Sequence, residues 1–263
     1  MLSALILVKI AVTMAAVVGL SLLAERVSPR IAGVLAGFPH GIAIVLYFIG
    51  VEQGAEFAAR AAKFAVAGLG ANVVLAYCYA YFAVGRPGVK GVALAVLAAL
   101  IAFAMTAGTL DFIAPPLGLA CVLTLGLITL TWLLLRRWDD SFALKKPRTS
   151  VFELGARAAI AASIVVLITG LAALLGPQKA GLLAGFPVVT FPLLVILHAR
   201  HGPEMAAKVV RHYPFGIVSL LVFTLTVSWG FTALGMGLGI VAGLVAASVY
   251  LAVATTLSRR AKP

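Results

Sequence analysis

The sequence predicts an all-α polytopic membrane protein of about nine transmembrane helices, built as two inverted four-helix repeats joined by a linking helix. Three observations predict it. The chain is 63% hydrophobic and only 11% charged over 263 residues, whereas a soluble domain is nearer half apolar and a quarter charged. An eight-residue segment recurs almost unchanged in the two halves. The helix left over between the halves reverses the orientation of the second.

The apolar surface is too extensive for one buried core, so it faces lipid. About 20 apolar residues at 1.5 Å each cross the roughly 30 Å of hydrocarbon. On that measure, spans are expected near 2–25, 31–51, 56–84, 90–108, 112–136, 151–175, 179–199, 204–229 and 233–257. Lys9 interrupts the first apolar stretch, and no A-x-A-like site precedes a polar domain, so this stretch reads as a spanning helix and not as a cleaved signal. Cys78 and Cys121 lie inside apolar stretches without metal-ligand or CxxC spacing and read as small apolar residues.

The formal net charge is +12. In a soluble protein this would suggest nucleic acid, but Lys and Arg collect in the cytoplasmic loops of membrane proteins. Here Arg136, Arg137, Lys145, Lys146 and Arg148 cluster in the linker RWDDSFALKKPRTS and its approach. Arg259, Arg260 and Lys262 end the chain, and Arg86 with Lys90 and Arg26 with Arg30 mark two short loops. The connections near Asp111 and near Trp229–Gly230 carry no basic residue. With nine spans the basic regions share one side, which places the N-terminus outside and the C-terminus in the cytoplasm.

Residues 32–39 read AGVLAGFP and residues 180–187 read AGLLAGFP, seven of eight matching at an offset of 148. At the same offset, without gaps, Lys9 meets Arg157, Gly54 meets Gly202, Glu56 meets Glu204, Arg60 meets Lys208, Lys63 meets Arg211 and Gly68 meets Gly216. Charged residues are scarce, so these coincidences argue for duplication. Residues 1–108 form the first four-helix repeat, 109–150 the linking helix and basic linker, and 151–263 the second repeat. Four spans return the chain to its starting side and the fifth carries it across, so the second repeat is inverted. Inverted repeats are common in secondary transporters, whose sites lie between the repeats near the midplane.

One repeat resembles the GlpM-like family of small bacterial inner-membrane proteins with four spans. The matching residues are Lys9, Ile31-Ala32-Gly33, Phe38-Pro39, Gly54 and Glu56, and then Arg157, Ala180-Gly181, Phe186-Pro187, Gly202 and Glu204. Arg157 replaces the Lys and Lys179 stands at the Ile position. The likeness covers both repeats but not the fifth helix. It implies a bacterial inner-membrane protein resembling a fused antiparallel pair of such units, and it implies architecture more than activity.

The candidate site residues follow from two physical oddities. Proline breaks or kinks a helix, and glycine permits unwinding or close approach. Gly37, Phe38 and Pro39 with Gly185, Phe186 and Pro187 therefore read either as a binding site between the repeats or as close packing. His40 and Thr190 stand beside them as extra hydrogen-bonding groups. The second oddity is charge at depth. Lys9 and Arg157 lie about seven residues into their helices, roughly 10 Å along the axis. Glu56, Arg60 and Lys63 share one helix face, as do Glu204, Lys208 and Arg211. Glu56 with Arg60 and Glu204 with Lys208 are expected to pair, which leaves Lys9, Lys63, Arg157 and Arg211 without obvious acidic partners. A cation at depth is costly unless paired or wetted. These four are expected either to bind anionic substrate or to snorkel to the interface.

His198, His201 and His212 flank one short loop, but the first repeat has no His there, and no metal is expected. No cofactor is expected either, and nothing suggests an enzyme. The expected function is a secondary transporter for an anionic substrate, either a small anion or an anionic, phosphate-bearing lipid headgroup, as in a lipid flippase. The alternative is a non-transporting membrane scaffold or accessory protein. Membrane lipids and the substrate are the expected partners, nucleic acid is not, and a homo-oligomer is compatible with the sequence.

Overall fold

The computed structural model describes residues 2–26, 38–138 and 150–260. These form α1 (Leu2–Arg26), α2 (His40–Gln53), α3 (Ala55–Ala83), α4 (Gly88–Ile113), α5 (Leu117–Leu135), α6 (Val151–Ala184), α7 (Thr190–His201), α8 (Pro203–Ala233) and α9 (Met236–Arg260). No strand occurs among the described residues. Six of the helices, α3 to α6, α8 and α9, are long and apolar enough to cross a membrane. The protein is therefore an all-helical chain with the character of a membrane protein.

The expected helix boundaries hold within a few residues for the long elements, with one correction. The apolar run 179–199 is not one helix. It starts inside α6, stops at Ala184 and resumes at Thr190. The cause is Pro187, which supplies no backbone donor and cannot continue the preceding turn. The expected end of the sixth span at Gly176–Pro177 holds: Gly176, at φ 74°, ψ 170°, is non-helical and separates two helical stretches within α6. Only glycine adopts that backbone cheaply, so the turn needs no connecting segment.

α3 and α8 are the central pair. They pack on each other, α4 and α5 lie against α3, α9 lies against α8, and α1 packs along α6. Composition explains the arrangement. α3 reads AEFAARAAKFAVAGLGANVVLAYCYAYFA, and small side chains let helix axes approach where no water-driven force favours association. Its Ala61, Ala65, Leu69 and Leu75 are fully buried. α4, α5 and α9 expose Leu97, Met105, Val122, Leu130 and Val245, as a lipid-facing surface requires.

Glycine makes the tightest crossing possible. A methyl on Gly181 would lie 2.2 Å from the Ala61 carbonyl oxygen, and one on Gly68 would lie 2.4 Å from that of Leu182. No real Cβ fits there. Two further glycines set matching corners. Gly54 joins α2 to α3 at φ 90°, ψ 160°, and Gly202 joins α7 to α8 at φ 92°, ψ 164°. They stand 148 residues apart, the offset of the sequence match.

Candidate functional site

The site is built where α2 and α7 begin, just after the two FP pairs. Phe38 and Pro39 precede α2, and Phe186 to Val189 separate α6 from α7. Gly37 lies outside the described residues, as do 31–36 and so most of the first AGFP segment. The residues after the two prolines meet. A methyl on Gly41 would lie 3.4 Å from Val189 Cγ2 and 3.7 Å from Val188 Cβ. Thus the N-termini of α2 and α7 converge on one place.

Neither N-terminus carries a side-chain cap. The first N–H groups of a helix have no partner within it; here those of His40 and Phe191 bond the Phe38 and Pro187 carbonyls and Pro192 has no N–H, while the macrodipole puts about half a positive charge at each end. Two such ends facing one spot favour negative charge. Beside them His40 is buried, and neither ring nitrogen makes a hydrogen bond. Thr190 is buried one residue past the Gly41 contact. Phe186 packs edge-on against Phe103 and Phe191, with ring centroids 5.1 and 5.4 Å away, and Phe38 is half-buried.

A chain of polar groups braces the second interruption, and sequence reasoning missed two of its members. Asn72 Nδ2 donates to the Gly185 carbonyl at 2.8 Å, and the Tyr213 hydroxyl donates to Asn72 Oδ1 at 2.9 Å. Thr190 hydrogen-bonds to the Tyr213 phenol in turn. A carbonyl released by a helix break is expensive to leave bare in an apolar interior, and Asn72 satisfies it. Gly185 itself is pressed against Gly68, where a methyl would lie 2.4 Å from the Gly68 carbonyl carbon. In the second segment, then, proline makes the break and glycine the close approach.

The buried cations need a correction. Lys9 was expected to lack an acidic partner. It is 2% exposed, and its ammonium donates at 2.6 Å to Glu52 Oε1 and at 2.6 Å to Thr169 Oγ1. It also lies 5.9 Å from the Phe48 ring. The partner stands on α2, 43 residues away, so no pattern along one helix reveals it. Arg157 is buried on α6. One turn before it, Glu153 lies 3.9 Å from Arg200 and 3.6 Å from His201, so Glu153 is shared with α7.

The remaining candidates scatter. Lys63 and Arg60 are exposed on α3, as is Glu56, and no salt bridge joins Glu56 to Arg60 among the described residues. Arg211 is half-buried on α8 and donates to the Trp138 carbonyl. Glu204 and Lys208 are half-buried one turn apart on the same helix. His198 is held by the Tyr79 hydroxyl at Nδ1 and the Arg86 carbonyl at Nε2, 3.3 and 2.9 Å away. No group of three or more His, Cys, Asp or Glu gathers among the described residues. The site therefore centres on His40, Gly41, Val189 and Thr190, with Lys9 held apart in its own ion pair. No protein family, curated protein or solved structure matches the chain.

Proposed function

We propose that the chain is a secondary transporter of the bacterial inner membrane, moving an anionic substrate through the interface of two inverted four-helix repeats. The observation that carries this reading is the contact of Gly41 with Val189. These residues are 148 apart, the offset of the duplication. A residue meets its own equivalent only where the pseudo-two-fold axis passes. Both half-helix N-termini converge there, the arrangement that transporters use for anionic substrate groups.

Other features support the same organisation. Gly54 and Gly202 share one unusual backbone conformation at the repeat offset. The likeness of each half to GlpM-like four-span units points the same way. With α6 divided at Gly176, and its last part taken together with α7 as one pass, the proposal has nine passes, the N-terminus outside and the C-terminus cytoplasmic. The anion is received by the backbone N–H groups of α2 and α7 with His40 and Thr190, while Lys9 serves the closed structure. The chemistry recognised is a phosphate-type anion, free or on a lipid headgroup.

The test is flux in proteoliposomes of the purified protein. One arm measures entry of radiolabelled inorganic phosphate. The other measures loss of a fluorescent phosphatidylglycerol analogue from the inner leaflet by external quenching. Protein-dependent flux in either arm, reduced at least tenfold by H40A with T190V, is expected and tells the two sources apart. Flux no greater than in protein-free vesicles in both arms favours the scaffold reading and defeats this one.

A further inference from the structure

Two ion-pair clusters stand at related positions with their signs exchanged. In the first half Lys9 on α1 meets Glu52 on α2. At the 148-residue offset Lys9 corresponds to Arg157 and Glu52 to Arg200. The acid has moved to the other partner: Glu153 on α6 meets Arg200 and His201 on α7. Each opening helix is thus tied to the helix beyond the interruption by a carboxylate and a cation, with opposite polarity in the two halves.

The two ties differ in how they close. Lys9 is locked by two contacts of 2.6 Å. Glu153 is 7% exposed. Its Oε2 and the His201 Nε2 are both buried, neither makes a hydrogen bond, and they face each other at 3.6 Å. Arg200 reaches Oε1 at 3.9 Å from a half-exposed position. On α6 itself Arg157 lies one turn on. From α8, the Glu204 carboxylate turns back toward Gly202, next to His201. No ionisable side chain of α1, α2 or α3 forms a salt bridge with Glu153 among the described residues.

The Glu153–His201 contact stops short of the 2.6 Å at which Lys9 meets Glu52. We infer that Glu153 and His201 form a proton-binding site that latches α6 to α7, and that the proton is the coupling ion. The second clause rests on the transporter reading; the first does not. A proton taken from water onto the imidazole makes the contact ionic and closes it. When the proton returns to water, a carboxylate faces a neutral ring, the ionic tie to His201 is lost, and this end loosens. No other bond is made or broken. The Lys9–Glu52 tie contains no imidazole, so the latch sits at one end only.

The measurement is the distance between spin labels on α6 and α7 in full-length protein in nanodiscs. Cys78 and Cys121 are replaced by Ala, and labels are placed at Val151 and Ala199, both exposed. Imidazole titrates between about pH 5 and pH 8. A single short distance at the acid end and a second, longer population at the alkaline end are expected. H201Q should remove the pH response, and E153Q should hold the longer population at every pH. Distances that do not change with pH, or a response that survives H201Q, overturn the proposal. Because H201Q leaves Glu153 and Arg200 in place, the test stands even if E153Q fails to fold. No substrate is needed. An intact pH response with no phosphate or lipid flux removes the transporter reading and leaves the proton site. Flux without a pH response removes the proton site alone.

Discussion

Gly41 and Val189 face each other across the two helix interruptions, and a side chain grown on Gly41 would meet Val189 Cγ2 at 3.4 Å and Val188 Cβ at 3.7 Å. The second distance is close to the roughly 3.8 Å between the Cβ atoms of a disulfide. Gly41→Cys with Val188→Cys, in a chain with Cys78 and Cys121 replaced by Ala, should therefore oxidise to an internal bridge. Loss of both thiols to a maleimide-polymer gel shift, restored by reductant, is the expected reading. Thiols that remain fully reactive after oxidation would separate the two interruptions and remove the convergence of α2 and α7.

Much of this arrangement was legible in the sequence, and the reasons it was or was not are local. Pro187 announces the break between α6 and α7, and Pro39 the start of α2, because proline acts on the turn it occupies. Gly54 and Gly202 announce the corners because few other residues adopt their backbone. The Lys9–Glu52 pair was not legible. A sequence displays charge partners three or four positions apart on one helix, and this pair spans 43 residues and two helices. The same habit made Glu56 and Arg60 look paired, although both are exposed and form no salt bridge with each other. Asn72 left a usable signal, since an amide inside an alanine-rich span needs a partner, but nothing in the sequence said that the partner was the Gly185 carbonyl.

Lys9 makes the second prediction. Its ammonium is held by Glu52 and Thr169 in a nearly closed pocket. Removing one member of a buried pair strands the other, at about 3–5 kcal/mol. Glu52 keeps some exposure, so the lower end applies, and Lys9→Met should destabilise the protein by about 3 kcal/mol. Adding Glu52→Gln should recover more than half, because no unpaired carboxylate is left behind. Thermal unfolding in detergent reads both. A Lys9→Met protein as stable as the parent, with flux lost, would instead return Lys9 to the substrate.

The glycine crossing between α3 and α6 makes the third. Gly68→Ala forces a methyl to 2.4 Å from the Leu182 carbonyl oxygen, where backbone has to move. Overpacking of this kind costs about 1–3 kcal/mol. Gly126→Ala on α5 is the control, since nothing lies within 4 Å of the added methyl. It should be neutral or slightly stabilising, Ala being the better helix former by about 1 kcal/mol. Equal effects at the two sites would show that helix propensity, and not close approach, sets the response at Gly68.

Asn72 makes the last and the most discriminating. Its amide bridges the Gly185 carbonyl and the Tyr213 hydroxyl, each at hydrogen-bonding distance and fully enclosed. The assignment is directional. The carbonyl can only accept, so the amide nitrogen must face it, the amide oxygen faces Tyr213, and the phenol must donate. Asn72→Leu keeps the volume close and deletes both bonds, leaving the Gly185 carbonyl bare at the helix break. Stranding a buried acceptor costs about 1–3 kcal/mol, so the loss should fall in that range. Tyr213→Phe removes only the phenol and should cost about 1 kcal/mol. The two residues act through one shared bond, so their effects should not add. In the Asn72→Leu background Tyr213→Phe should cost less than in the parent, because of the phenol's two bonds only the one to Thr190 remains. Unfolding midpoints of the four proteins in one detergent complete the cycle. If the two losses add within about 0.5 kcal/mol, Asn72 does not couple α8 to the interruption, and the brace between the break and Tyr213 is not there.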